Sequence, residues 1–306
     1  MPKKNRTLQR LRRRLVYWGA RLAQALVLLL PFDAAITLGG WLGRLAFAVL
    51  RRQRGMTLEH LAIAFGQEKK EAERRDIARQ VFINAGRDAA EIMLFPRWSD
   101  EQLRQRIRFD NPEPIVQASR SGNGLVILGG HFGNWELLGA YGVRILGMNA
   151  GVIARRLSNP HLDHLINGYR RNVGLKVFLR GEPVRGFFRH LTRGGTLAIL
   201  NDQDVRKIDG IFVDFFGRPA HTPTGPAELI LRSGAVWFLA VMKRSDDGRR
   251  HELLCQGPLP IPEGEDHAAR VRCLTEEYVR RLEDIIRRYP DQWMWMHNRW
   301  EKRSQQ

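Results

Sequence analysis

The chain has 306 residues, 43% of them apolar and 27% charged. That balance excludes a disordered tail protein and suits one large α/β domain with an appendage. The formal charge of +18 calls for an anionic partner, whether nucleic acid, an acidic membrane or an acidic protein.

The charge is uneven. Residues 1–110 hold 22 Lys+Arg against 11 Asp+Glu, so +11 of the +18 lies in the first third. Seven basic residues fall between positions 3 and 14: Lys3, Lys4, Arg6, Arg10, Arg12, Arg13 and Arg14. An apolar stretch follows from Leu15 to Phe32, interrupted by Arg21 and Gln24. A second runs from Ala34 to Leu50, interrupted by Arg44, and closes on Arg51, Arg52 and Arg54. The start resembles a signal peptide, but no small-residue cleavage site follows, so the segment is read as retained. Neither stretch is a clean span of about 20 apolar residues. Two half-apolar helices hinged at Pro31-Phe32-Asp33, dipping into the cytoplasmic leaflet or forming a hairpin, keep both basic clusters on the anionic side. Residues 1–54 are therefore assigned as a membrane-associated segment. Nucleic acid is set aside as a partner, because the basic cluster adjoins membrane-grade apolar sequence and no nucleic-acid-reading motif is present.

Residues 55–110 read as a helical region, with Glu68 to Ile92 carrying Ala78, Val81, Phe82 and Ala85 at helical spacing. From residue 111 to 306 short β-rich runs alternate with helical patterns. The predicted strands are 125–128, 151–154, 175–178, 197–200, 235–242 and 252–255. The predicted helices lie near 135–146, 160–173, 182–193, 223–233 and 266–289. Such alternation predicts an α/β fold with a mostly parallel sheet flanked by helices, and sites in such sheets lie beyond the C-terminal strand ends. His131 follows Leu125–Leu128 and the pair Gly129-Gly130, with Glu136 five positions on. A carboxylate beside a histidine fixes its tautomer and stabilises the imidazolium; by spacing alone the two residues equally suit a helix start. Asp202-Gln203-Asp204 lies beyond a second strand end, and Arg155-Arg156 beyond a third. No G-x-S-x-G elbow is present, against a serine hydrolase, and Gly129-Gly130-x-x-Gly133 lacks the dinucleotide-binding form.

His131, four residues, then Glu136 resembles the H-x4-D/E motif of the glycerolipid-type acyltransferases. Further blocks resemble one branch, the bacterial late acyltransferases of lipid A biosynthesis (lauroyl and myristoyl transferases). They are Gly130-His131-Phe132 with Glu136, residues 154–160 (Ala-Arg-Arg-Leu-Ser-Asn-Pro), Asn201-Asp202-Gln203-Asp204, residues 210–217 followed by Ala220, Thr222 and Gly225, and residues 289–297 (Tyr-Pro-Asp-Gln-Trp-Met-Trp-Met-His). The resemblance covers nearly the whole chain. It implies transfer of a fatty acyl chain from the phosphopantetheine thioester of acyl carrier protein to a hydroxyl of a membrane glycolipid, with no resident cofactor and no metal, at the cytoplasmic face of the inner membrane. It maps the catalytic base onto His131 and its acidic partner onto Glu136, and an anion-binding arginine onto Arg155. Where the branch shows an aromatic-Arg-Pro pattern, this chain has Ala154-Arg155-Arg156-Leu157, so Arg156 stands as the alternative. Val205-Arg206-Lys207 also departs from the branch, which offers a glycine soon after Asp202-Gln203. Acceptors of the same chemistry are another membrane lipid, such as a lysophospholipid, a glycosylated phosphoinositide or an aminolipid. A non-catalytic basic membrane-binding scaffold explains the charge but leaves His131 idle.

The chemistry itself requires a base for the acceptor hydroxyl and donors for the thioester oxyanion. His131 suits the first, and the backbone near Gly129 and Gly130, or an arginine, suits the second. Asp202 and Gln203 are either substrate-positioning or strand-end groups. His161, Asp163 and His164 are better explained by helix-surface polarity than by metal ligation. Trp293, Trp295 and Trp300 read as core or membrane-interface packing.

Overall fold

The computed structural model describes residues 3–204, 208–264 and 266–300, with side chains from residue 8. Helices come first: α1 (Lys3–Val27), α2 (Phe32–Val49), α3 (Arg51–Phe65), α4 (Glu71–Leu94) and α5 (Asp100–Arg106). Pro31 separates α1 from α2 with φ −56° and ψ 149°, which is the extended geometry that proline imposes. Then follow β1 (Ile107–Arg108), α6 (Glu113–Arg120), β2 (Leu125–Gly129), α7 (Trp135–Arg144), β3 (Ala150–Ala154), α8 (Pro160–Asn172), β4 (Lys176–Leu179), α9 (Arg185–Leu191) and β5 (Thr196–Leu200). The chain closes with β6 (Gly210–Phe215), β7 (Arg218–Pro223), α10 (Gly225–Ser233), β8 (Val236–Arg244), β9 (His251–Gln256) and α11 (His267–Arg288).

The main sheet has seven strands in the order β1-β9-β8-β2-β5-β3-β4. Neighbours are parallel except β8 and β9, which pair antiparallel. The predicted α/β class and parallel sheet stand. β1 and the hairpin β6–β7 are additions. The hairpin turns through Phe216 and Gly217 at φ 57° and 71°, the primed-turn geometry that usually selects Asn-Gly. Phe-Gly gives no such signal in sequence. Glu283 accepts the Phe216 N–H at 2.7 Å, and the Phe216 ring packs edge-on to Phe65, so packing holds the costly φ.

Both faces of the sheet are covered, and the period-2 pattern divides its side chains between two cores. Val126, Leu128, Trp237, Leu239 and Val241 face α3, α4, α10 and α11. Leu125, Ile127, Phe238, Ala240 and Met242 face α6 and α7. The C-terminal tryptophans Trp293, Trp295 and Trp300 are buried in the first core. Cys255 on β9 is half-buried and Cys273 on α11 is exposed.

Helix α2 is long and apolar enough to cross a membrane by length and composition, yet one face is committed to the rest of the fold. Ala35, Ile36, Gly39, Gly40, Gly43 and Phe47 are buried against α4. A Cβ on Gly43 would lie 2.2 Å from the Phe82 carbonyl, and one on Gly86 would lie 2.1 Å from that of Gly39. Glycine alone permits this backbone approach. The opposite face presents Leu38, Trp41, Leu42, Leu45 and Val49 to the exterior, and α1 presents Leu8, Leu11, Leu15, Trp18, Leu22 and Leu26 at helical spacing.

Candidate active site

Strands β2 and β5 are parallel neighbours paired Leu128 to Ile199 and Gly129 to Leu200. Two residues beyond that last pair on each strand stand His131 and Asp202. The register therefore delivers an imidazole and a carboxylate side by side at the C-terminal edge of the sheet.

The pair is tightly built. Asp202 Oδ1 lies 2.7 Å from His131 Nδ1, and Oδ2 accepts the His131 backbone N–H at 2.6 Å and the Trp293 indole N–H at 2.8 Å. Burial pushes the Asp202 carboxyl up, but the His131 charge and the His131 ring and backbone N–H bonds outweigh it and hold the group well below the usual carboxylate range. An ionised Asp202 fixes Nδ1 as a donor and leaves the lone pair on Nε2, the tautomer a base needs. The His131 side chain is 19% exposed and that of Asp202 only 1%, so the ring is reachable and its partner is not.

Besides Asp202, Trp135, His297 and Gln203 lie around the ring among the described residues. Trp135 packs edge-on with centroids 4.9 Å apart, and His297 does so at 4.7 Å. The Gln203 amide nitrogen is 3.2 Å from both His131 ring nitrogens, which places it over the ring face rather than in its plane. The same nitrogen reaches His297 Nδ1 at 2.5 Å. Burial, then the positive charges of His131 and Arg155, push His297 down to about 4, so it is neutral at pH 7.

The turn carrying His131 is anchored from below and behind. Buried Tyr278 donates to the Gly129 carbonyl at 2.7 Å, Met294 N–H donates to the His131 carbonyl at 2.9 Å, and Gly133 N–H donates to that of Gln292 at 2.8 Å. Gly133 sits at φ +51°, and a Cβ there would fall 1.7 Å from the Met242 carbonyl. No other residue fits that position.

Glu136 is placed elsewhere than its spacing suggests. It lies in the first turn of α7, and its carboxylate turns to α8, where Arg170 donates Nε to Oε2 at 2.9 Å and Nη2 to Oε1 at 2.5 Å. This fork clamps α7 to α8, and the Trp135 indole N–H adds a bond at 3.2 Å. The carboxylate on His131 thus comes from Asp202, not Glu136, because the β2–β5 register sets the contact. Among the described residues, Glu136 meets the ring through Trp135. Arg155 and Arg156 follow β3 and are exposed. Arg155 stands near enough for its charge to act on His297 and on Arg180. The departure at 205–207 lies outside the described residues. His161 packs against Tyr17 of α1 and Asp163 accepts the Leu157 N–H at 2.8 Å.

Beside Asn201 opens an apolar cleft of about 350 Å³, lined by Ile153, Phe187, Phe188, Leu200 and Leu229 with Arg180 and Arg232 at its polar margin. His297, Trp135, Trp293 and Arg170 were not singled out by sequence reasoning as site residues. The block 289–297 holds the signal for His297 and Trp293, whose indole serves Asp202 as well as packing.

A histidine–carboxylate pair at the mouth of a parallel sheet, near an apolar cleft, is the arrangement of a general base able to activate a hydroxyl. The chain belongs to the bacterial lipid A biosynthesis acyltransferase family, whose model matches residues 1–302; it is an acyltransferase. It is 27% identical to a lipid A biosynthesis lauroyltransferase of Escherichia coli, over 92% of this chain and 89% of that one. A lipid A biosynthesis palmitoleoyltransferase of the same organism is 25% identical over 90% and 87%. A phosphatidylinositol mannoside acyltransferase of Mycolicibacterium smegmatis is 25% identical over 74% and 72%.

Proposed function

We propose that the protein moves a fatty acyl chain from acyl carrier protein to a hydroxyl of a lipid A precursor at the cytoplasmic face of the inner membrane. The observation that carries this reading is the His131–Asp202 pair, with the Nε2 lone pair available and the negative charge buried behind it. The acceptor hydroxyl gives its proton to His131 Nε2 as its oxygen attacks the thioester carbon. The tetrahedral intermediate collapses by breaking the carbon–sulfur bond, and the departing thiolate takes the proton back from the imidazolium. Asp202 stabilises the imidazolium between the two steps. The backbone N–H groups of His131, Phe132 and Gly133 are all engaged, which favours the arginine of the two oxyanion donors considered, Arg155 with Arg156 as its alternative. The acyl chain lies in the cleft beside Asn201, whose volume suits a small-molecule pocket.

The membrane seat follows from the exposed stripes of α1 and α2. Asn159 of the loop after β3 donates to the Arg13 carbonyl of α1 at 2.9 Å, so α1 runs along the rim of the site. A bilayer seated on these stripes brings lipid acceptors to His131. Because α2 is locked on α4, both helices lie in the plane of the interface. The positive surface steers acidic acyl carrier protein to the same mouth. The wider coverage shared with the lipid A relatives favours a lipid A acceptor over a glycosylated phosphoinositide. Mass spectrometry of lipids from a deletion strain tests this: the loss of one secondary acyl group from lipid A supports it, and an unchanged lipid A with an altered phospholipid or glycolipid class replaces the acceptor.

A further inference from the structure

A second group of charged residues, which the transfer step does not use, lies against the His131 turn. Arg244 at the end of β8 donates to Glu91 Oε1 at 3.0 Å, and to Glu91 Oε2 and Asp88 Oδ1 at 2.5 Å each. His251 Nε2 is 3.0 Å from both Glu91 oxygens. The side chains of Arg244, Glu91 and His251 are at most 1% exposed. Burying such ions stabilises a fold no better, and often worse, than apolar residues of similar volume. Their contacts point to another use.

Two hydrogen bonds leave this cluster for the turn. The Asn134 amide donates to Glu91 Oε2 at 2.9 Å. The Arg244 backbone N–H donates to Gln292 Oε1 at 3.0 Å, and the Gln292 carbonyl in turn accepts from Gly133. Asn134 is three residues beyond His131, precedes the first turn of α7, and is 1% exposed. The turn 131–134 is therefore held at both ends, by Asp202 at His131 and by Glu91 at Asn134.

We propose that Asn134, fixed by Glu91 and through it by Arg244 and His251, is a positioning residue that aligns the His131 imidazole on Asp202. A carboxylate held by Arg244 and His251 on both oxygens cannot swing, so its bond to Asn134 sets the turn rather than following it. Misplacement of a catalytic group by about 1 Å costs on the order of a hundredfold. The effect should fall on turnover and not on binding, since Asn134 is buried away from substrate.

The inference rests on the acyl-transfer reading of His131. The test compares full-length wild type, Asn134→Leu and Asp88→Asn in detergent micelles, with acyl carrier protein thioester as donor. Asp88 touches Arg244 but not the turn, so it reports damage to the cluster alone. Asn134→Leu should lower kcat about ten- to a hundredfold with KM within about threefold, and should shift or broaden the His131 Nδ1–H resonance in histidine-labelled protein. Asp88→Asn should lower the melting temperature at least as much while keeping kcat and that resonance. Wild-type kcat in Asn134→Leu, or losses of kcat that track melting temperature equally in both variants, overturns the inference. If Asn134→Leu does not fold, Asn134→Ser makes the same comparison. Absence of transfer by wild type rejects the acyl-transfer reading instead, and the resonance still decides the positioning.

Discussion

Replacing Asp202 by asparagine separates the two carboxylates near His131. The amide keeps size and shape but loses the charge, and it presents either an N–H₂ or an oxygen to Nδ1. Oδ2 already accepts from His131 N–H and Trp293 Nε1–H, so the oxygen of asparagine is best kept there and the N–H₂ turns to Nδ1. That reverses the tautomer, moving the lone pair to Nδ1 and the proton to Nε2, where the hydroxyl proton has to go. The charge loss is sizeable by itself. For charge centres about 4 Å apart at an effective dielectric of about 20, attraction between Asp202 and the imidazolium is about 4 kcal/mol, or about a thousandfold in rate. We expect single-turnover transfer to fall on the order of 10³- to 10⁴-fold in Asp202→Asn, with donor binding retained. Glu136→Gln keeps one hydrogen bond to Arg170 and acts on the ring through Trp135, so a loss of about ten- to a hundredfold is expected, together with a lower melting temperature. Rapid-quench assays on folded protein decide the matter. Near-normal transfer by Asp202→Asn beside a thousandfold loss in Glu136→Gln would refute this reasoning and return the partner role to Glu136.

His297 titrates at about 4 in the fold, against an ordinary 6.5. Between those values the unfolded chain binds more protons, so stability falls as pH drops from about 6.5 towards 4, by at most about 3 kcal/mol. Asp202, depressed below its ordinary 3.8, adds its own loss only below that window. Denaturant melts of wild type and His297→Gln across this range should show a flatter dependence in the variant; parallel curves would exclude the shift. Trp41→Glu with Leu45→Glu on the exposed face of α2 should release protein from anionic vesicles without lowering its melting temperature, whereas undiminished flotation would remove that face from the membrane. Deleting residues 1–54 is a poorer test, because it uncovers the α4 face on which α2 packs. Thiol reagents should label Cys273 at neutral pH and spare Cys255, whose thiol burial pushes up to about 12; labelling of both in the folded state would contradict that burial.

The strands that face the core announced themselves in sequence because both of their faces are apolar, and the predicted 125–128, 197–200 and 235–242 lie within one or two residues of β2, β5 and β8. The histidine was equally legible, since a strand ending in Gly129-Gly130 leaves little else for His131 to do. Its partner was not. A motif spacing within one strand–helix unit suggested Glu136, but the contact crosses between two strands 71 residues apart, and only the β2–β5 register aligns them. Parallel pairing of the runs 125–128 and 197–200 sets Asp202 opposite His131. The hairpin β6–β7 was missed because Phe216 holds a positive φ by packing rather than by residue type. Glu91 and Arg244 resemble ordinary surface charges in sequence, for nothing local marks them as buried.

The most direct test of the account is the mass of the acceptor after incubation with purified protein. Given acyl carrier protein loaded with a fatty acid and a lipid A precursor, wild type should add the mass of one fatty acid less one water, and His131→Ala, still folded, should add none above background. Undiminished transfer by His131→Ala, or no mass gain with wild type while another membrane lipid gains one, would contradict it.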